Sequence, residues 1–319
     1  MAQIVKDISL VKDYLDSEEL VAIPTETVYG LAAKGTSTKA LKKIFEAKGR
    51  PTNNPLILHF KDLESITPFV TDLTDEISHL ASQFWPGPLT LLLPKSQNVP
   101  VTVTAGSNRV AVRVPNHPIT LELLKTLDYP LAAPSANPSG YISPTRPEHV
   151  EIQLGGKVGL ILDGGPCTSG IESTIVGWEN GTPIIYRKGL ITSEQLGEVL
   201  GKRPEFKGKS HILEAPGMLS SHYAPNTKTV VTEKVKESVG IHKNKRIGLL
   251  TFKQPMGLKV EKEIVLTRGG SLEEMAKNLY AAMHKLDAMG LHVIIIEKAP
   301  DKGIGKAIND RLLRSSTKL

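Results

Sequence analysis

A single cysteine, Cys167, leaves no partner for a bridge within the chain, which argues against a disulfide framework and the small stapled scaffolds that depend on one. No run of about 18 apolar residues is present, so no membrane-spanning helix is expected. The opening segment Met1 to Leu10 lacks the basic start, apolar middle and small-residue cleavage site of an export signal, and a cytoplasmic protein without a membrane partner is the expectation. The nine histidines show neither His-Glu-x-x-His nor Cys/His ligand spacing, so no protein-held metal is expected. No serine, threonine or cysteine carries the partners of an activated nucleophile; Cys167 follows Gly164-Gly165-Pro166 with no histidine near it in sequence and should be inert. Internal repeats and low-complexity tracts are also missing.

What is present is a chain of ordinary globular composition, 40% hydrophobic and 23% charged, whose 319 residues suggest two domains. The net charge of +6 is unevenly spread: residues 1–200 carry 17 Lys+Arg against 21 Asp+Glu, and residues 201–319 carry 22 against 12. The basic excess is therefore C-terminal. It fits a solvated lysine-rich surface or a face toward RNA or nucleotide.

Apolar segments at Leu20–Pro24, Pro55–Phe60, Pro88–Leu93, Val110–Val114, Pro130–Ala133, Gly159–Leu162, Ser173–Trp178 and Pro183–Arg187 read as strands. Helical spacing recurs at Thr38–Lys48, Asp72–Gln83 and Pro118–Leu127. So many strands with so few helices between them predict a mixed α+β sheet over residues 1–200. Residues 201–227, rich in Pro and Gly and without apolar periodicity, read as a linker. Over 228–319, strands at Arg246–Phe252 and His292–Glu297 alternate with helices at Ser271–Met289 and Gly305–Arg314, a pattern for a small open α/β sheet. Ser271 with Glu274 is a capping-box start for the first of those helices.

Four motifs carry chemistry. Lys48-Gly49-Arg50-Pro51-Thr52-Asn53-Asn54-Pro55 sets two cations on a stiffened turn suited to a polyphosphate, although Gly49 also reads as a plain helix C-cap. Ala133-Pro134-Ser135-Ala136-Asn137-Pro138-Ser139-Gly140 holds a hydroxyl and an amide between prolines, and equally has the composition of a surface turn. Pro24 to Gly30 and Gly170 to Thr174 are weak alone.

Together and in order, with Phe84-Trp85-Pro86-Gly87-Pro88-Leu89-Thr90, Val112-Arg113-Val114-Pro115 and Tyr186-Arg187-Lys188-Gly189, they closely resemble the YrdC-like domain of the L-threonylcarbamoyladenylate synthases over residues 8–197. Ala215-Pro216-Gly217-Met218, Ser221-His222-Tyr223-Ala224-Pro225 and Gly303 to Arg311 extend the resemblance to the two-domain form of that family. It implies a twisted mixed sheet around a concave basic cavity, then a linker and a small Rossmann-like domain. By the same resemblance the Lys48/Arg50 and Ser135/Asn137 pairs are the catalytic set. Thr27, His59, Arg113, Ala133 and Ser173 would bind threonine. Arg50, Asn54, Ser135, Ser143 and Arg187 would contact ATP, with His222 and Tyr223 of the linker near the nucleotide. Arg109 stands where many relatives carry threonine near ATP, and its role is open. The Phe84–Thr90 segment reads as core.

The implied reaction joins L-threonine, bicarbonate or CO2, and ATP into threonylcarbamoyl-AMP and pyrophosphate, for a tRNA modification. Downstream transferase proteins and tRNA are the further partners it implies. Because all reactants are anionic, positioning and charge neutralisation should outweigh covalent help, with Mg2+ accompanying ATP and held mostly by phosphate oxygens and water. His59 then reads as a hydrogen-bonding pocket residue or as an ordinary strand-end histidine. The rival readings are a non-catalytic module for double-stranded RNA or tRNA, and a carbamoyl-phosphate-using enzyme of the hydrogenase-maturation type. The acidic balance of residues 1–200 speaks against the first. The lone cysteine, too few for a zinc finger, speaks against the second.

Overall fold

The computed structural model describes residues 1–208 and 223–316. Eleven strands form one sheet: β1 (Gln3–Val5), β2 (Val21–Ile23), β3 (Gly30–Lys34), β4 (Ile57–His59), β5 (Leu89–Pro94), β6 (Arg109–Arg113), β7 (Leu131–Ala132), β8 (Leu160–Leu162), β9 (Thr174–Glu179), β10 (Thr182–Arg187) and β11 (Glu205–Phe206). Their order is β1-β8-β2-β3-β7-β4-β6-β5-β9-β10-β11. Parallel pairs such as β4 with β6 mix with antiparallel pairs such as β2 with β3, as the expected mixed sheet requires. Successive residues of β2 enter different apolar clusters: Ala22 joins the larger one, Val21 and Ile23 the other. The strand is buried on both faces and shows no polar alternation, which is why it reads as a continuous apolar run.

The second sheet holds β12 (Thr229–Thr232), β13 (Ile247–Thr251), β14 (Lys262–Val265) and β15 (Val293–Glu297), ordered β12-β15-β13-β14 and entirely parallel. Alternate residues of β13 and β15 again divide. Leu250, Ile294 and Ile296 pack with the helices Leu272–Asp287 and Gly305–Ser316, whereas Leu249, Val293 and Ile295 pack with Val235–Ile241. The first of these clusters also takes in Val28, Ile142, Ile171 and Tyr223. The helix Leu272–Asp287 therefore docks the second sheet onto the first unit through a shared apolar core, where each fully buried Leu or Ile contributes roughly 1.5–3 kcal/mol.

Local signals explain the boundaries that matter. Thr38–Lys48 begins at Ser37, whose hydroxyl accepts from the Ala40 N–H, and ends at Gly49 with φ +59°. That left-handed turn is cheap only for glycine and sends Lys48 and Arg50 in different directions. Ser271 caps Leu272–Asp287 as expected, accepting from the Glu274 N–H at 3.1 Å. The reciprocal half of the capping box is absent, because Thr267 Oγ1 already accepts the Ser271 N–H and the Glu274 carboxylate takes the Arg268 N–H instead.

Strands β1 and β3 and the helices Pro147–Leu154, Ser193–Leu200 and Val235–Ile241 were not legible as periodic patterns. Within the stretch read as a linker, β11 adds a short parallel strand to β10, and residues 209–222, including His222, lie outside the described residues.

Candidate active site

The ends of β4 and β6 set the site. These strands run parallel with His59 opposite Arg113, so a neutral and a cationic side chain leave the sheet side by side. Across from them, the loop after β7 is pinned to β3: the Leu31 N–H donates to the Pro134 carbonyl (2.7 Å), the Ala136 N–H to the Tyr29 carbonyl (2.8 Å), and Gly30 bridges to Ser135. A Cβ on Gly30 would come within 3.1 Å of Ala133 Cβ, so glycine permits this close approach. Between these walls lies a cleft whose lining includes Thr27, Arg50, His59, Arg113, Ser135 and Arg187.

Three guanidinium groups, all buried, reach the cleft from separate elements. Arg50 donates through Nε to the Asn54 carbonyl (3.2 Å) and through Nη2 to Asn54 Oδ1 (2.6 Å) and the Pro55 carbonyl (2.8 Å). Among the described residues no hydrogen bond engages its Nη1. Burial, and then Arg187, lower its pKa to about 10. Arg113 donates through Nε to the Gly87 carbonyl (3.2 Å) and through Nη1 to Thr27 Oγ1 (3.0 Å), and its Nη2 lies 2.6 Å from Glu26 Oε1. Arg187 stands at a register shift in the β9–β10 pairing. Its Nε donates to the Ser173 carbonyl (3.0 Å) and its Nη2 to Ser173 Oγ (2.9 Å).

His59 is 3% exposed. Burial, with Arg113 beside it, holds its pKa down at about 3, so the imidazole is neutral near pH 7. With Nδ1–H donating to the Ile57 carbonyl at 3.3 Å, Nε2 remains an acceptor. A ring so weakly basic can accept a hydrogen bond but is a poor general base.

The expected residues are brought into one neighbourhood but not all onto the cleft surface. Thr27, Arg50, His59, Arg113, Ala133, Ser135, Arg187 and Tyr223 line it. Lys48, Asn54, Asn137, Ser143 and Ser173 stand behind that lining. The Lys48 ammonium donates to the Ser135 carbonyl at 2.6 Å and to that of Asn137, so it ties the helix end to the Ser-x-Asn loop rather than facing the cleft. Burial and the neighbouring Arg50 push its pKa well down. Asn137 Nδ2 spans the same loop, donating to the carbonyls of Pro138 (2.8 Å) and Tyr141 (2.9 Å). Ser143 donates to Glu172 (2.7 Å), and Ser173 shares a hydrogen bond with Thr90 (2.8 Å).

Arg109 lies outside the cleft and donates to the Tyr186 hydroxyl at 2.7 Å. Cys167 is buried, and burial pushes its thiol up to about 12, as an inert cysteine requires.

Reasoning from sequence passed over Thr25, Glu26 and Glu172. Thr25 Oγ1 accepts the N–H groups of Thr27 and Val28 (3.1 and 3.2 Å) and shapes the turn that presents Thr27. Glu26 supplies the counter-charge to Arg113. The Phe84–Thr90 segment, read only as core, also touches the site through the Gly87 carbonyl and Thr90. The acidic residue inside each of the motifs Pro24 to Gly30 and Gly170 to Thr174 was the available signal, since a carboxylate amid apolar residues needs a cationic partner.

Residues 13–189 match the Sua5–YciO–YrdC family model, described as telomere recombination, and residues 191–317 match the threonylcarbamoyl-AMP synthase C-terminal domain. The threonylcarbamoyl-AMP synthase of Pyrococcus abyssi is 40% identical over 97% of this chain and 94% of its own length. That of Bacillus subtilis is 40% identical over 95% and 90%. The crystal structure of P. abyssi Sua5 complexed with L-threonine superposes with a TM-score of 0.91 at 38% identity, covering 97% of this chain and 94% of that one.

Proposed function

We propose that this chain, which belongs to the Sua5 family of threonylcarbamoyl-AMP synthases, joins L-threonine, bicarbonate or CO2, and ATP into threonylcarbamoyl-AMP with release of pyrophosphate. The product would feed the threonylcarbamoyladenosine modification of tRNA. The observation that carries the reading is the convergence of Arg50, Arg113 and Arg187 on one cleft beside a neutral His59. Three buried cations set close together repel one another beyond what Glu26 and Glu172 offset, and they make sense around anionic reactants.

The threonine end is assigned to Thr27, His59, Arg113, Ala133 and Ser173. Thr27, held by Arg113 and Thr25, reads the substrate hydroxyl. His59 Nε2 accepts from the amine, and Arg113 faces the carboxylate. The nucleotide end is assigned to Arg50, Asn54, Ser135, Ser143 and Arg187, with Tyr223 and His222 of the linker.

In the nucleotidyl transfer, the threonine nitrogen attacks the carbon of CO2 and loses a proton to solvent, giving a carbamate. A carbamate oxygen then attacks the α-phosphorus of ATP and pyrophosphate leaves with the P–O bond electrons. Arg50 and Arg187 stabilise the charge that develops there. Lys48 and Asn137 act through the loop they brace, which holds Ser135 in place.

Among the described residues no group of three or more His, Cys, Asp or Glu could hold a metal ion. Mg2+ is therefore proposed to arrive with ATP, bound by phosphate oxygens and water, where it would lower the charge of the triphosphate. The second unit is read as a Rossmann-like domain over 228–319, joined through 201–227 to a catalytic domain over 1–200. No helix among the described residues is long and apolar enough to cross a membrane, and a cytoplasmic site of action is proposed.

The test is pyrophosphate release from ATP by the purified protein with threonine and bicarbonate omitted in turn. Release that needs both supports the reading; release indifferent to either defeats it.

A further inference from the structure

Glu172 stands where the two units meet, 7% exposed, with both carboxylate oxygens engaged. Ser143 Oγ donates to Oε1 at 2.7 Å, and the Tyr280 hydroxyl lies 3.3 Å from Oε1 and 3.1 Å from Oε2. Arg311 donates through Nε to Oε2 at 3.0 Å. Ser143 belongs to the first unit; Tyr280 and Arg311 belong to the helices of the second, and Arg311 is 1% exposed. Burial pushes the Glu172 carboxyl up, but Arg311, Arg187 and the Ser143 hydroxyl outweigh it and hold it down at about 2.

The backbone around Glu172 ties the same elements together. Gly170 sits at φ +80°, and a Cβ there would lie 2.4 Å from the Ala276 carbonyl oxygen of the helix Leu272–Asp287. Only glycine lets this segment press so closely on that helix. Three residues on, Ser173 accepts hydrogen bonds from Nε and Nη2 of Arg187. Residues 170–173 thus touch the second unit at one end and orient a cleft cation at the other. A fully buried guanidinium is costly unless its partner is held, and here that partner also receives Ser143. The Arg311 guanidinium carbon further lies 5.5 Å from the centre of the Tyr223 ring, which lines the cleft.

We propose that Arg311 of the second unit is a positioning residue for the nucleotide end of the cleft, acting through Glu172 on Ser143 and Arg187. The second unit then completes the site rather than merely following it in the chain. The inference rests on the assignment of Ser143 and Arg187 to ATP made above.

The experiment uses the full chain and the variants Arg311→Met, Arg311→Lys, Glu172→Gln, Tyr280→Phe and the Arg311→Met/Glu172→Gln pair. For each, KM for ATP, KM for threonine and kcat are measured by pyrophosphate release. Affinity for a non-hydrolysable ATP analogue is measured by calorimetry, and a thermal melt reports folding. Arg311→Met and Glu172→Gln should each raise KM for ATP and weaken the analogue by about tenfold, leaving KM for threonine within about twofold. Arg311→Lys should recover part of the loss, Tyr280→Phe should show a smaller shift of the same kind, and the pair should be no worse than its worse single variant, as members of one network behave. A lower melting temperature with unchanged ATP affinity, or equal losses for ATP and threonine, would overturn the proposal. Should Arg311→Met fail to fold, unchanged analogue binding in both Arg311→Lys and Tyr280→Phe overturns it. If the unaltered chain releases no pyrophosphate, the functional reading fails, and analogue binding in the variants still decides this one.

Discussion

The two ends of the cleft are built differently. The end assigned to threonine comes from one sheet: His59 and Arg113 are register partners on β4 and β6, and Thr27 and Glu26 close on Arg113 from the turn before β3. The end assigned to the nucleotide draws on both units, with Arg187 and Ser143 braced by a carboxylate whose other partners, Tyr280 and Arg311, lie over a hundred residues further along the chain. A small substrate can be enclosed by neighbouring strand ends, which are already held by ladder hydrogen bonds. A larger nucleotide needs a wider span, and that span is stiffened by packing a second unit against it.

The strongest way to break this contrast is to remove a cation of the nucleotide end. Arg50→Ala should lower pyrophosphate release by roughly two to three orders of magnitude, because it deletes a preorganised charge where charge develops. It also leaves the Pro55 carbonyl and Asn54 Oδ1 without their donor, so a stability loss of about 1–3 kcal/mol should accompany it. Turnover and a denaturant melt measured together separate the two effects, and near-normal turnover would remove Arg50 from the mechanism.

Selectivity sharpens the threonine end. Valine, which lacks the hydroxyl, should be used about 100-fold less well than threonine or worse, because Thr27 would be left with an unpaired polar group. Serine, which lacks only the methyl, should fall between them. Competition between the three in the same assay reads this directly, and equal use of valine would mean that Thr27 does not face the side chain.

Acid probes the seam between the units. His149 and His284 face one another with ring centroids 4.1 Å apart, and Tyr141, which donates to Asp287, flanks them. Burial, then the opposing His284 and Arg146, lowers His149 to about 3. Burial lowers His284 to about 4 despite the Ser143 carbonyl and Asp287. Because the folded values lie below the ordinary 6.5, the unfolded chain binds more protons as pH falls through 6.5. Stability should therefore drop from about pH 6.5 toward 4, by at most roughly 1.4 kcal/mol per pH unit for each histidine. A His149→Gln/His284→Gln pair should flatten that slope in thermal melts taken from pH 7 to 5, and a slope unchanged by the substitutions would exonerate the seam.

The smallest effect belongs to a cap that does not line the cleft. Ser271→Ala should cost about 1 kcal/mol by removing the acceptor for the Glu274 N–H. Turnover at temperatures well below the melt should not change, and a marked loss of ATP affinity would show that the helix Leu272–Asp287 positions the nucleotide end by more than its docking.

Much of this was legible in the residues. Thr38–Lys48 is seen with the limits its spacing implies, and the strands carrying His59, Arg113 and Arg187 fall within a residue or two of the apolar runs that announced them. Strand β3, Gly-Leu-Ala-Ala-Lys, went unread because small residues give little β signal; it is held by pairing on both sides. Strand β11 has only two residues and exists through its partner β10.

Local chemistry along the chain therefore determined most of the elements, the left-handed turn at Gly49, and the presence of enough cations and small donors for an anionic substrate. It could not determine which nitrogen faces which oxygen. Lys48 and Arg50 are two residues apart, yet one binds the carbonyls of a loop nearly ninety positions away and the other reaches the cleft. The place of Glu172 in its motif signalled that it needs a partner but not which one; burial deprived it of water, and Arg311, Tyr280 and Ser143 replaced that water. Those partners are set by packing between elements distant in sequence, and a buried charge acquires its role from whatever packing places beside it.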